Sequence, residues 1–321
     1  MKIIAMTAAA LALALSAPIT DAQEKFPSHL VTVVNPNAPG GTSDIITRGM
    51  TEPLQRAFKQ TVVTVSRVGA GGAVGGAYVA KAPADGYTLL AHSSAYAVNP
   101  TLIPNAGYDG EKDFIPIAIV ASQPNFIVVH ADFPAKTLAE LLARARTDKL
   151  AFASAGNGTT PHLTGENLFK LRAKVDITHI PFKGGGPAAA AVLGGQPPVG
   201  VIAGSAPLPH IKAGKIRALA VSSARRVASL PDVPTLTELG YPGMEDYTWV
   251  GLFVPAGTPP EIAQKLNDAV LRVANDPLIK ERLEALAFDV TAAPLGETAA
   301  YVKSELAKWG KVVRDVGAKV D

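Results

Sequence analysis

The chain has 321 residues, with 30 Lys and Arg set against 27 Asp and Glu, and no cysteine. A formal net charge of +3, scattered except for Arg225-Arg226, describes a solvated surface rather than a nucleic-acid footprint. Without cysteine there are no disulfides and no lipid anchor on an N-terminal Cys, so a hydrophobic fraction of 48% must stabilise the fold through its core alone.

The chain opens as a secretory leader. Lys2 precedes Ile3, Ile4, Ala5 and Met6, an Ala/Leu run follows over 8–15, and Thr20 and Ala22 stand where a signal peptidase reads small residues. Residues 1–22 are therefore expected to be a cleavable signal peptide, because the apolar run is too short to span a bilayer. Export without disulfides fits a bacterial periplasm. The remaining length suits about two domains.

Beyond the leader, short apolar runs alternate with helical stretches. Strands are predicted over 31–34, 62–66, 88–91, 116–120, 125–129, 150–154, 177–181, 199–202, 216–221 and 249–254. Many are apolar on both faces, as strands buried in parallel sheets are. A helix follows the first strand over 45–58. Thr137-Leu138-Ala139-Glu140 reads as a capping box, and Thr258-Pro259-Pro260-Glu261 as a second, with Pro at the first helical position. The last helix, about 297–316, spaces Tyr301, Val302, Leu306, Trp309, Val313 and Val316 three to four apart, which gives it a packing face. This alternation argues an α/β fold with mostly parallel sheets. Two breaks, at 121–124 and 241–246, read as crossings between domains. They divide the chain into 26–122 plus 248–321, and 123–247.

The most informative stretch is Pro39-Gly40-Gly41-Thr42-Ser43-Asp44, between a strand and a helix. A helix N-terminus presents unpaired N–H groups and the positive end of its dipole, and glycine lets a ligand approach the backbone. Asp44 at this position is expected to hold the shape of the loop rather than act as an acid or base. Ser154-Ala155-Gly156-Asn157-Gly158-Thr159-Thr160-Pro161-His162 repeats the design. His162 either caps and packs that helix or faces a ligand. The other histidines are dispersed and stand at no metal-ligand spacing. The cluster over 69–76 fails the dinucleotide pattern, which needs glycine where Val74 stands, and reads as a close-packed loop and helix start. No G-x-S-x-G, H-E-x-x-H, Walker lysine or C-x-x-C occurs. Two anion-capable loops, one from each domain, suit an acidic ligand held between lobes that close on a hinge.

These two loops resemble the ligand loops of the Bug-type solute-binding proteins of tripartite tricarboxylate transporters. Further stretches match in order: Gly69-Ala70-Gly71-Gly72, Ala84-Asp85-Gly86-Tyr87, Asn99-Pro100, Pro181-Phe182-Lys183-Gly184, Pro209-His210-Ile211-Lys212-Ala213-Gly214-Lys215, Leu230-Pro231-Asp232-Val233-Pro234-Thr235 and Pro255-Ala256-Gly257-Thr258-Pro259. The resemblance implies a two-lobed periplasmic-binding-protein fold of type II-like architecture, with a ligand cleft between the lobes. It implies a non-enzymatic periplasmic binder, without cofactor or metal, that captures an organic carboxylate and delivers it to membrane permease subunits. A dicarboxylate, a tricarboxylate or an aromatic acid would qualify. A monomer that binds no nucleic acid is expected. A sensor component presenting the same cleft to a signalling receptor is the alternative.

Carried over, Pro39, Gly40 and Gly41 would hold one carboxylate, with Asp44 shaping the loop. Ala155, Gly156, Asn157, Gly158, Thr159 and His162 would hold the far end. Ser93 and Ser94 would offer hydroxyls to the cleft wall. Lys183 either binds the acid or lies exposed, and Ala203 and Gly204 would complete the wall. The chain departs from the family over 200–207, where it lacks an Asp that several relatives carry. Without that carboxylate a buried ligand ammonium has no partner, which disfavours an amino acid.

Overall fold

The computed structural model describes residues 26–37 and 41–319, so the expected signal peptide lies outside the described residues. The chain begins β1 (Val31–Asn35), α1 (Thr42–Phe58), β2 (Val62–Ser66), α2 (Ala73–Ala80), β3 (Thr88–Ser93) and α3 (Ala95–Leu102). It continues β4 (Phe114–His130), α4 (Leu138–Arg144), β5 (Leu150–Ser154), α5 (Thr160–Glu166), β6 (Ile177–Pro181), α6 (Gly185–Leu193), β7 (Val199–Ala203), α7 (Leu208–Lys212) and β8 (Ile216–Val221). It ends β9 (Tyr247–Pro255), α8 (Pro260–Ala274), α9 (Pro277–Ala285), β10 (Asp289–Val290) and α10 (Leu295–Val316). This is the expected α/β class. Among the described residues no helix is long and apolar enough to cross a membrane.

Two sets of strands form, and β4 belongs to both. β1 pairs in parallel with β2 and β3, and β5 pairs in parallel with β6 and β7. Every antiparallel pairing involves β4 or β9: β3 with β9, and β4 with β7, β8, β9 and β10. The parallel expectation thus holds away from these two long strands, which make the sheets mixed.

The predicted strands 116–120 and 125–129 are one strand of 17 residues. Pro124 reads as a break because proline cannot donate to a ladder. It is tolerated because β4 changes partners there. Pro124 is the last residue opposite β9, facing Tyr247, while its carbonyl accepts from the Gly204 N–H at 3.0 Å. The second capping box also differs. Thr258 donates its hydroxyl to the Pro255 carbonyl at 2.8 Å, and α8 starts at Pro260 without a side-chain cap. Thr137 caps α4 as expected, accepting from the Glu140 N–H at 3.2 Å.

Each sheet region is buried on both faces, which explains the near-continuous apolar runs. Along β1, Val31 and Val33 enter one core while Val34 enters the opposite one. Along β4, Ile127 and Val129 face one core of the second region, and Phe126 and Val128 the other. The packing face of α10 buries Val302, Trp309, Val313 and Val316. It also buries Glu305, whose Oε2 accepts both indole N–H groups of Trp249 and Trp309 at 2.8 Å.

Candidate functional site

The candidate residues gather at the carboxyl ends of the parallel strands, where open α/β sheets place their ligands. In the first loop Pro39 and Gly40 lie outside the described residues. Gly41 is the N-cap of α1, in extended backbone with φ −75° and ψ 168° and no side-chain cap. Asp44 is buried and engaged. Its Oδ1 accepts from Asn35 Nδ2 at 3.0 Å and pairs with Arg48 Nε at 2.8 Å. Asn35 Oδ1 in turn accepts from the Ser43 hydroxyl at 2.9 Å and the Asn37 N–H at 3.2 Å. This lattice ties the end of β1 to the first turn of α1.

The second loop is tied to itself. The Gly158 N–H donates to His162 Nδ1 at 3.2 Å, which places the proton of the neutral imidazole on Nε2. The Gly156 N–H donates to Ser154 Oγ at 3.2 Å, the Thr159 N–H to the Gly156 carbonyl, and the His162 N–H to Thr159 Oγ1. Four backbone donators that would serve an anion are therefore turned inward. The amide of Asn157, half-buried, keeps no partner among the described residues. Gly158 has φ +73°, and a Cβ there would lie 2.5 Å from Leu102 Cδ2. Only glycine fits, and the loop sits directly on α3.

The dispersed histidines do not all stay apart. Parallel pairing sets Phe152 opposite His179, and the His179 ring stacks on His162 with centroids 3.9 Å apart. His179 Nε2 meets Ser154 Oγ at 2.7 Å. Ser154 is fully buried, so this pair braces the loop. A cavity of about 240 Å³ is lined by Glu166, Lys170, Asp176 and His179, and none of the expected ligand residues lines it.

Ser93 and Ser94 separate. Ser94 is buried and its hydroxyl meets Thr160 Oγ1 at 3.0 Å, so it serves the interior and not a cleft wall. The Ser93 hydroxyl makes no hydrogen bond among the described residues. Lys183 is exposed, with no ion-pair partner among the described residues. Ala203 and Gly204 end β7 beside Pro124.

Sequence reasoning missed the residues that join these loops. From Ser94 and Thr160 a buried chain runs through Thr248 at 2.7 Å to Asn125 Oδ1 at 2.9 Å. Asn125 Nδ2 continues it to Thr164 at 3.1 Å, and Thr164 donates to Asp246 at 3.0 Å. Asp246 pairs with Lys308 Nζ at 2.7 Å. Burial alone would lower the Lys308 pKa, but the Asp246 and Glu305 carboxylates outweigh it and raise the pKa above the usual lysine value. Gln123, fully buried, donates to Thr42 Oγ1 at 3.4 Å and accepts from the Ser205 N–H at 2.6 Å. Polar residues inside the apolar run of β4 were the available signal. Among the described residues no group of three or more His, Asp or Glu converges as for a metal ion.

Residues 46–318 match the model of the tripartite tricarboxylate transporter family receptor, which covers well over half of the chain. The chain belongs to this receptor family. The periplasmic binding protein BugD superposes with a TM-score of 0.81 at 33% identity, over 92% of this chain and 99% of that one. An R. palustris protein solved with adipate gives a TM-score of 0.83 at 32% identity, over 92% and 100%. MatC from Rhodopseudomonas palustris, solved with bound malate, gives 0.81 at 34%, over 90% and 100%. The family is one of periplasmic solute-binding receptors, and its two-lobed α/β fold is the fold of this chain.

Burial keeps three histidines, His92, His162 and His179, uncharged near neutral pH. Burial pushes His92 down to about 4, where its Nδ1 faces the Ser93 carbonyl. Burial, with His179 and Lys170 nearby, pushes His162 down to about 3. The unfolded chain takes up protons at these histidines below about pH 6.5, while the folded receptor does not. Stability is therefore present above that pH and lost as the pH falls. Between pH 6.5 and 5 the receptor should lose about 1.5 kcal/mol for each of His92 and His162, and less for the half-buried His179, which burial pushes down to about 4. Urea midpoints should fall over that range, with a slope shallower by about a third in His162→Gln. A flat dependence, or an unchanged slope in the variant, would contradict the buried neutral state.

Proposed function

We propose that this receptor captures a small organic dicarboxylate in the periplasm and delivers it to the membrane permease subunits of a tripartite tricarboxylate transporter. It does so as a monomer and without catalysing a reaction. The observation that carries this reading is the pair of relatives solved with adipate and with malate, each covering at least 90% of this chain. The charges of the site agree with it. Among the described residues of the strand-end loops, Asp44 is the one carboxylate and is engaged by Asn35 and Arg48, while Lys183 is an exposed cation. A ligand with two carboxylates and no ammonium fits that balance.

In this reading residues 26–122 with 248–321 form one lobe and residues 123–247 the other. The segregation of strand pairings on either side of Pro124 supports the division. Pro39, Gly40 and Gly41 hold one carboxylate through backbone N–H groups at the start of α1. Asn157 and its loop face the other, braced by His162. Ser93, Lys183, Ala203 and Gly204 line the remaining wall. Residues 1–22 act as the signal peptide that brings the receptor to the periplasm.

Thermal unfolding against a ligand panel tests the function. A ligand at a hundredfold excess over Kd stabilises by about 2.7 kcal/mol, which raises the melting temperature visibly. Malate, adipate or glutarate should raise it, glucose should not, and glutamate should bind at least tenfold more weakly than glutarate. A shift with glucose and none with any carboxylate would sink the assignment. Gly41→Val tests the first loop, because the extended φ of Gly41 accommodates valine. It should melt near the parent without ligand yet lose at least about a hundredfold in affinity. Unchanged affinity would remove this loop from the site.

A further inference from the structure

Gln123 stands where β4 passes from one set of partners to the other, and it is fully buried. Its two amide atoms reach in opposite directions. Nε2 donates to Thr42 Oγ1 at 3.4 Å, in the first turn of α1 beside Gly41. Oε1 accepts from the Ser205 N–H at 2.6 Å, in the loop that follows β7. The neighbouring backbone repeats the link, since the Gly204 N–H donates to the Pro124 carbonyl at 3.0 Å. A Cβ on Gly204 would stand 3.1 Å from Phe126 Cε2, so this loop is packed tightly against β4 at the crossing.

We propose that Gln123 is a positioning residue for ligand binding, setting the Thr42 hydroxyl and the Ser205 loop in one register so that both strand-end loops meet the same acid. The proposal rests on the carboxylate reading of the site. By donating to Thr42 Oγ1, the amide occupies an acceptor lone pair of that hydroxyl. The Thr42 hydrogen is then left to donate toward an anion at the start of α1. At its other end the Gln123 carbonyl satisfies the Ser205 N–H, which fixes the β7 loop without bringing a charge. An amide donates at one end and accepts at the other while staying neutral at every working pH. A carboxylate in its place would still accept from Ser205. It would leave Thr42 without its donor and set a buried negative charge beside the anion.

The test uses the mature receptor with malate and adipate as probes, titrated calorimetrically at pH 8 and pH 5. Gln123→Met keeps the length and removes both hydrogen bonds, and it should weaken binding about tenfold. Gln123→Glu should weaken it at least about a hundredfold at pH 8. At pH 5, as the new carboxyl takes up a proton and regains a donor, the variant-to-parent ratio of Kd should shrink toward that of Gln123→Met. Taking the ratio cancels the titration of the probe itself, and a residue needed only for folding would not move it with pH. Binding by Gln123→Glu within twofold of the parent at both pH values overturns the proposal while leaving the site intact. If the parent binds neither probe, the dicarboxylate reading fails and the proposal falls with it. Should Gln123→Glu not fold, Gln123→Met decides: affinity within twofold of the parent overturns the proposal.

Discussion

Asn125 and Thr248 meet at 2.9 Å on the two long strands that carry the chain between its sheet regions. The end of β3 and the start of α5 hang from this crossing. Thr248 reaches Thr160 at the start of α5, and through it Ser94 at the end of β3. Asn125 reaches Thr164 on the same helix and from there Asp246 and Lys308. Apart from the half-buried Lys308, each of these groups is buried, and leaving one unpaired costs about 1–3 kcal/mol, so the chain must form as a unit. The apolar cores on the faces of each sheet fix the strands. The polar chain fixes how the strand ends of one region meet those of the other.

A receptor for an acid has to hold negative charge without offering much positive charge of its own. The described loops contain one exposed lysine, and the interior carboxylates are all occupied: Asp44 by Asn35 and Arg48, Asp246 by Lys308, Glu305 by two indoles. In the proposed reading the site relies on oriented dipoles, the N–H groups at the start of α1 above all. The second loop spends four backbone donors on its own shape, through His162, Ser154, Thr159 and the Gly156 carbonyl. Neutral, buried histidines suit that structural task.

Much of this was legible in the sequence, because apolar runs bounded by Gly, Pro and Ser mark buried strands and their ends. The runs around Val33, Phe152 and Val201 read correctly, and so did the tendency of Asp44 to serve its own helix. Pro124 misled, since its missing N–H signals a break in any strand whose partners are unknown. The stacking of His162 on His179 depends on the parallel register of β5 and β6, which local pattern does not contain. Ser94 and Ser93 are indistinguishable as letters, and a strand end turns one inward and the other out. Gln123 was the hardest to see, because its importance lies in two partners that are each 82 or 81 positions away.

The central claim is that loops from both sheet regions act on a single dicarboxylate. Amide hydrogen exchange of the mature receptor, with and without saturating malate or adipate, tests it most directly. The account predicts slowed exchange at residues 41–45 and at 155–160 together, with 62–66 and 277–285 unchanged. Protection confined to one loop, or protection elsewhere with both loops unaffected, would contradict it.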